Sequence, residues 1–80
     1  MVNDVYSYTV SNTASESAFA RSCKLIESSF KGISKENTLV DVDGSSVKIY
    51  HKNGAKIKVC NDYEVDAVYV DSEIDLNGVF

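Results

Sequence analysis

Three side chains in this sequence carry the chemistry of a nucleophile or a base near neutral pH: Cys23, His51 and Cys60. Catalysis by such groups needs a thiolate beside a cation or a general base, or a histidine oriented by a third group. None of the three stands in that setting. Phe19, Cys23, Ile26 and Phe30 follow one another at spacings of four, three and four, the apolar stripe of a helix, so Cys23 is expected to be a core thiol. His51 ends an alternating run beside Asn53-Gly54, the position of a rim histidine. Cys60 follows Val59 and should point away from the helix, so no Cys23–Cys60 disulfide is expected.

Metal and phosphate chemistry fare no better. Asp41-Val42-Asp43-Gly44-Ser45 resembles the middle of an EF-hand loop, but alignment on the glycine puts Leu39 at the first ligand position and Tyr50 at the last, and neither chelates. One histidine and two distant cysteines do not meet zinc spacing. The four glycines, at 32, 44, 54 and 78, never cluster into a phosphate cradle. The expectation is a protein that is not an enzyme and has no metal or cofactor.

The elements that must position any functional surface can be read from periodicity. Val2 to Val10 alternates, with Tyr6, Tyr8 and Val10 on one side. Thr13 and Glu16 form a capping box that starts a helix near Ala14, and Lys31-Gly32 stops it after Phe30. Thr38, Val40 and Val42 then share one face of a strand. A two-residue Gly44-Ser45 turn would set Val42 against Val47, Val40 against Ile49 and Asp41 against Lys48. For the next hairpin, a two-residue Asn53-Gly54 turn would pair Ile49 with Lys58. A three-residue Lys52-Asn53-Gly54 loop is therefore expected, with Ile49 opposite Ile57 and Val47 opposite Val59. Val65 to Val70 reads as a mid-sheet strand, and Ser72 to Leu76 as a sixth short strand or an extension. Phe80 is placed at one end of the core. The fold class is α+β: one helix on one face of a five- to six-stranded antiparallel sheet, β-α-β-β-β-(β), in a single domain over residues 1–80.

Length and charge narrow the function. The chain has 80 residues, 44% of them apolar, and a net charge of −4. It lacks the cysteines of a secreted disulfide scaffold, a basic-then-apolar N-terminus and any apolar run long enough to span a bilayer. A cytoplasmic protein with no membrane contact is expected. The charge is unevenly spread, +2 over residues 1–58 and −6 over residues 59–80. Asp62, Glu64 and Asp66, then Asp71, Glu73 and Asp75, recur at every second residue. On a strand each triplet would form a row at intervals of about 6.8 Å, which can imitate a nucleic-acid backbone and attract a basic channel. The same alternation also marks a plain solvated edge. Tyr50 and Tyr69 are candidate apolar anchors beside it. The alternative surface is the outer face of the 47–60 hairpin, where Lys48, Lys52, Lys56 and Lys58 would surround Tyr50 and bind nucleic acid. A third reading is a structural phage protein that dimerises through a sheet edge.

The Tyr6–Val10 strand, the Thr13-capped helix, the Asp43-Gly44 and Asn53-Gly54 hairpins and the acidic tail give a layout that resembles the small anti-CRISPR proteins of phages and mobile elements. That resemblance covers the whole chain as a layout and rests on no shared motif. It implies a non-enzymatic inhibitor of a host nucleic-acid-handling complex, a CRISPR effector, acting in the cytoplasm of the host cell.

Overall fold

The computed structural model describes residues 6–80. The Val2–Val5 part of the expected first strand lies outside the described residues. The elements are β1 (Tyr6–Ser11), α1 (Glu16–Ser29), β2 (Ser34–Lys35), β3 (Leu39–Val40), β4 (Ser46–Lys52), β5 (Ala55–Asp62) and β6 (Ala67–Ser72). They build one six-stranded antiparallel sheet in the order β1-β6-β5-β4-β2, with β3 also paired to β4. α1 packs against β5 and β1, so the expected α+β layout is found. β6 passes between β5 and β1, with Val68 and Val70 on the helix side and Tyr69 and Asp71 on the open face.

α1 starts two residues later than the capping box implies. Ser15, in an extended conformation, accepts the Ala18 backbone N–H on its hydroxyl and is the N-cap. Thr13 instead lies in the preceding turn, where its N–H donates to the Ser11 hydroxyl. The buried line of the helix is Ala18, Ser22 and Ile26, all on one face at intervals of four. Phe19, Cys23 and Phe30 flank it half-buried against the core. Small side chains at 18 and 22 let the helix lie close to the sheet, while the larger ones seal the sides.

The 52–55 turn decides which face of β4 is inside. Asn53 and Gly54 both have positive φ, 51° and 83°, the conformation of a two-residue type I′ turn. The register is then Tyr50 with Ile57, Ile49 with Lys58 and Val47 with Cys60, one residue away from the expected pairing. A one-residue slip turns every side chain of a strand over. Tyr50, expected on the outer face, is fully buried with Ile57, Val59, Val70, Ile26 and Leu76, whereas Val47, Ile49 and His51 lie on the open face. The Ile49–Lys58 pair, which argued against this register, puts no charge in the core because it stands on the side without a helix, where both residues are half-exposed.

The first hairpin also differs. Leu39 pairs with Val47 and Val40 with Ser46, leaving Asp41–Ser45 as a loop rather than Gly44-Ser45 as a tight turn. The aspartates close it: Asp41 accepts from the Val42 N–H at 2.7 Å and Asp43 from the Ser45 N–H at 2.9 Å. Backbone pairing reaches as far as Asp41, whose N–H donates to the Ser45 carbonyl at 2.8 Å, and these side-chain bonds hold the turn beyond it. Val40 and Val42, expected in the core, are therefore exposed. After β6 the chain forms no further strand; Leu76 is buried and Phe80 stacks 6.0 Å from Tyr8, closing the core as expected.

Candidate binding surface

The six acids of the C-terminal quarter do not form a row. Asp62, at the end of β5, accepts from the Glu64 and Val65 N–H groups and so shapes the β5–β6 turn. Asp66 takes a left-handed conformation, φ 56°, and accepts the Ala14 N–H at 2.8 Å, anchoring the segment before α1. Asp71 lies on the open face, where it pairs in register with Lys58 and accepts from the Ser7 hydroxyl. Glu73 accepts the Lys56 N–H, and Asp75 accepts from the Tyr8 hydroxyl and the Asn77 N–H. The expected ruler of charges at strand spacing is thus replaced by two groups: Asp62, Glu64 and Asp66 around one turn, and Asp71, Glu73 and Asp75 holding the C-terminal segment to the sheet.

The lysine patch is split for the same reason that Tyr50 is buried. Lys48 and Lys52 share the helix side of β4 with Tyr50; Lys52 sits over the Phe30 ring at 5.9 Å. Lys56 and Lys58 lie on the opposite face of the sheet. Tyr69 stays half-buried on the open face, its hydroxyl 3.5 Å from an Asp62 oxygen. Burial, together with the neighbouring Cys60, pushes Tyr69 up to about 12. Both cysteine thiols are pushed up by burial as well, the opposite of what an attacking thiolate requires. They are unbridged and lie on opposite sides of the sheet. His51 meets the Glu36 carboxylate at 2.6 Å across the β2 edge. Among the described residues, no three His, Cys, Asp or Glu are grouped to hold a metal ion.

What the fold does assemble is an acid-rimmed apolar end. The Asp41–Ser45 loop and the β5–β6 turn are stitched together: the Tyr63 N–H donates to the Ser45 hydroxyl at 2.9 Å, and the Tyr63 ring lies against Gly44. Leu39, Val40, Val42, Tyr63 and Val65 are exposed there by 61, 69, 103, 43 and 63%, against only two other exposed large apolar residues among the described residues, Tyr6 and Leu25. Between the two loops lies a hollow of about 370 Å³ lined by Leu39, Val40 and Val47 with Asp41, Asp43, Asp62 and Glu64. No cation belongs to either loop. Asp43 is held below the usual aspartate range chiefly because the Ser45 N–H points at its charged form. Isolated exposed apolar residues are ordinary; here five of the seven exposed large apolar residues among the described residues gather at one end. The chain matches no protein-family model, no curated protein and no solved structure.

Asp62, Glu64 and Asp66 were legible as candidates; Asp41, Asp43, Val40, Val42, Tyr63 and Val65 were not. The signal was present in Asp41-Val42-Asp43-Gly44, where a lone valine between two turn-forming aspartates has no strand to join.

Proposed function

We propose that this chain is a non-enzymatic binding protein of the phage or mobile-element type, similar to anti-CRISPR proteins, that blocks a host nucleic-acid-handling complex by docking its acid-rimmed apolar end on a basic protein surface. The observation that carries this reading is the coincidence, at one end of the sheet, of Leu39, Val40, Val42, Tyr63 and Val65 with Asp41, Asp43, Asp62 and Glu64. The apolar side chains supply area to bury, and the carboxylates choose a partner rich in lysine and arginine and speed the encounter at low salt. A surface evolved to hold phosphates has that composition. Asp71, Glu73 and Asp75 are bonded within the fold and serve the surface through the overall field rather than by contact.

The test is competition. Purified CRISPR effector complexes are mixed with labelled target DNA and the protein, and DNA binding is followed at rising salt. The wild-type chain should displace DNA from one effector class, less effectively at high salt, and Val42→Asp combined with Glu64→Lys should abolish displacement while leaving the circular dichroism spectrum unchanged. Displacement by the double variant at wild-type strength, or from no effector by either protein, sinks the reading.

A further inference from the structure

Beside the acidic end, on the helix side of the same sheet edge, runs a groove of about 640 Å³ between α1 and β4. Phe19, Ala20 and Cys23 contribute apolar lining, and Arg21, Lys24 and Lys48 bring three positive charges to it. Arg21 and Lys24 form no salt bridge among the described residues, and Lys48 lies within electrostatic reach of Glu27 without a direct salt bridge to it. The carboxylate in the groove, Glu27, is already engaged by the Tyr50 hydroxyl at 2.6 Å and by Lys35 at 3.5 Å. The groove therefore offers cations over an apolar floor. The hollow beside it offers carboxylates around protruding apolar side chains.

The two lie on either side of one strand pair. Thr38 and Lys48 line the groove, while their chain neighbours Leu39 and Val47 line the acidic hollow. β3 is an outermost strand among the described residues. A two-fold axis running along that edge turns the sheet over, which brings the groove of a second copy to the side of the acidic end of the first, and the reverse on the other side. A closed two-fold contact requires one surface that is complementary to itself, and this edge has that property in charge and in apolar content.

We propose that the chain forms a two-fold dimer across the β3 edge, in which the acid-rimmed apolar end of each copy, with Val42 at its tip, seats in the Arg21–Lys24–Lys48 groove of the other. The proposal uses the same acidic end as the partner-binding reading, so the dimer is the resting form that a more basic partner surface displaces.

Charge exchange tests it. Sedimentation velocity on the wild-type chain should show a monomer–dimer equilibrium from micromolar to millimolar concentration, weakening at least several-fold as salt rises. Arg21→Glu with Lys24→Glu places acids against acids, and Asp41→Lys with Glu64→Lys places cations against cations; each variant alone should be monomeric. Mixed one to one, they should recover a dimer, since both contacts are again opposite in sign. The chain carrying all four changes should recover a homodimer, which also shows that the substitutions do not unfold it. A wild-type chain that stays monomeric, a mixture that stays monomeric, or assembly that grows past the dimer overturns the proposal. The groove variant keeps the acidic end intact, so its loss of dimer with retained displacement of DNA from an effector separates this interface from the partner-binding reading.

Discussion

The Ser45 hydroxyl accepts the backbone N–H of Tyr63 at 2.9 Å, although the two residues lie in different hairpin connections. This bond holds the Asp41–Ser45 loop against the β5–β6 turn, and without it the acidic hollow has no fixed floor. Ser45→Ala should cost about 0.5 to 1 kcal/mol of stability, the value of one partly solvated hydrogen bond, and should weaken dimerisation more than its stability effect implies. Urea unfolding and sedimentation on the same variant check both; an unchanged association constant would show that the loops are positioned by other contacts.

The Tyr50 hydroxyl donates to the Glu27 carboxylate at 2.6 Å, and that bond is the largest influence holding Glu27 below its ordinary value of 4.5, with Lys35 adding to it. An acid depressed by folding stabilises the native state above its unfolded pKa and loses that contribution as pH falls through the folded one. Tyr50→Phe should therefore cost about 1 kcal/mol at neutral pH, discounted from the value of a buried charged bond because Glu27 remains solvated. The gap between the two proteins should narrow below the ordinary glutamate range. A gap that is independent of pH would assign the loss to packing instead.

Ser15 rather than Thr13 caps α1. Ser15→Ala should destabilise the protein by about 1 kcal/mol, while Thr13→Ala should stay within about 0.5 kcal/mol. Thermal or urea unfolding of the two variants side by side gives the answer, and the reverse ranking would move the helix start back to the capping box.

Gly54 has φ +83° with open space where a Cβ would stand, so its replacement is opposed by backbone conformation alone. Gly54→Ala should cost about 1 to 2 kcal/mol. A stabilised protein would mean that residue 54 is not left-handed, a conformation that both the two-residue type I′ turn and a three-residue loop with Gly54 in a G1 bulge require; the register itself is tested at Tyr50. Measuring the exposure of Tyr50 by near-ultraviolet titration is an independent check, since burial pushes this tyrosine far above its ordinary range, whereas an outward-facing Tyr50 would titrate near 10.

Much of the architecture is legible in local pattern. Tyr8 and Val10 of β1 pack against the core, Ile57 and Val59 turn inward from β5, and a single helix follows β1, because alternation and helical spacing record which side of each element is buried. The acids of the β5–β6 turn were visible as charge without compensation. The misread register came from taking Val47 and Ile49 as core residues, so that an Ile49–Lys58 pair read as a charge in the core. On the helix side, Lys48 and Lys52 stay half-exposed beside the buried Tyr50.

Composition and periodicity alone determined the α+β class, the helix and the excess of negative charge, since each depends on neighbours in the chain. Tertiary structure decided the rest. Strand register depends on how Asn53-Gly54 turns, and a one-residue difference there buries Tyr50 and divides the cations. The joining of Asp41, Val42 and Asp43 with Tyr63 and Glu64 depends on two loops far apart in sequence meeting at one end of a sheet, an arrangement that no local spacing encodes.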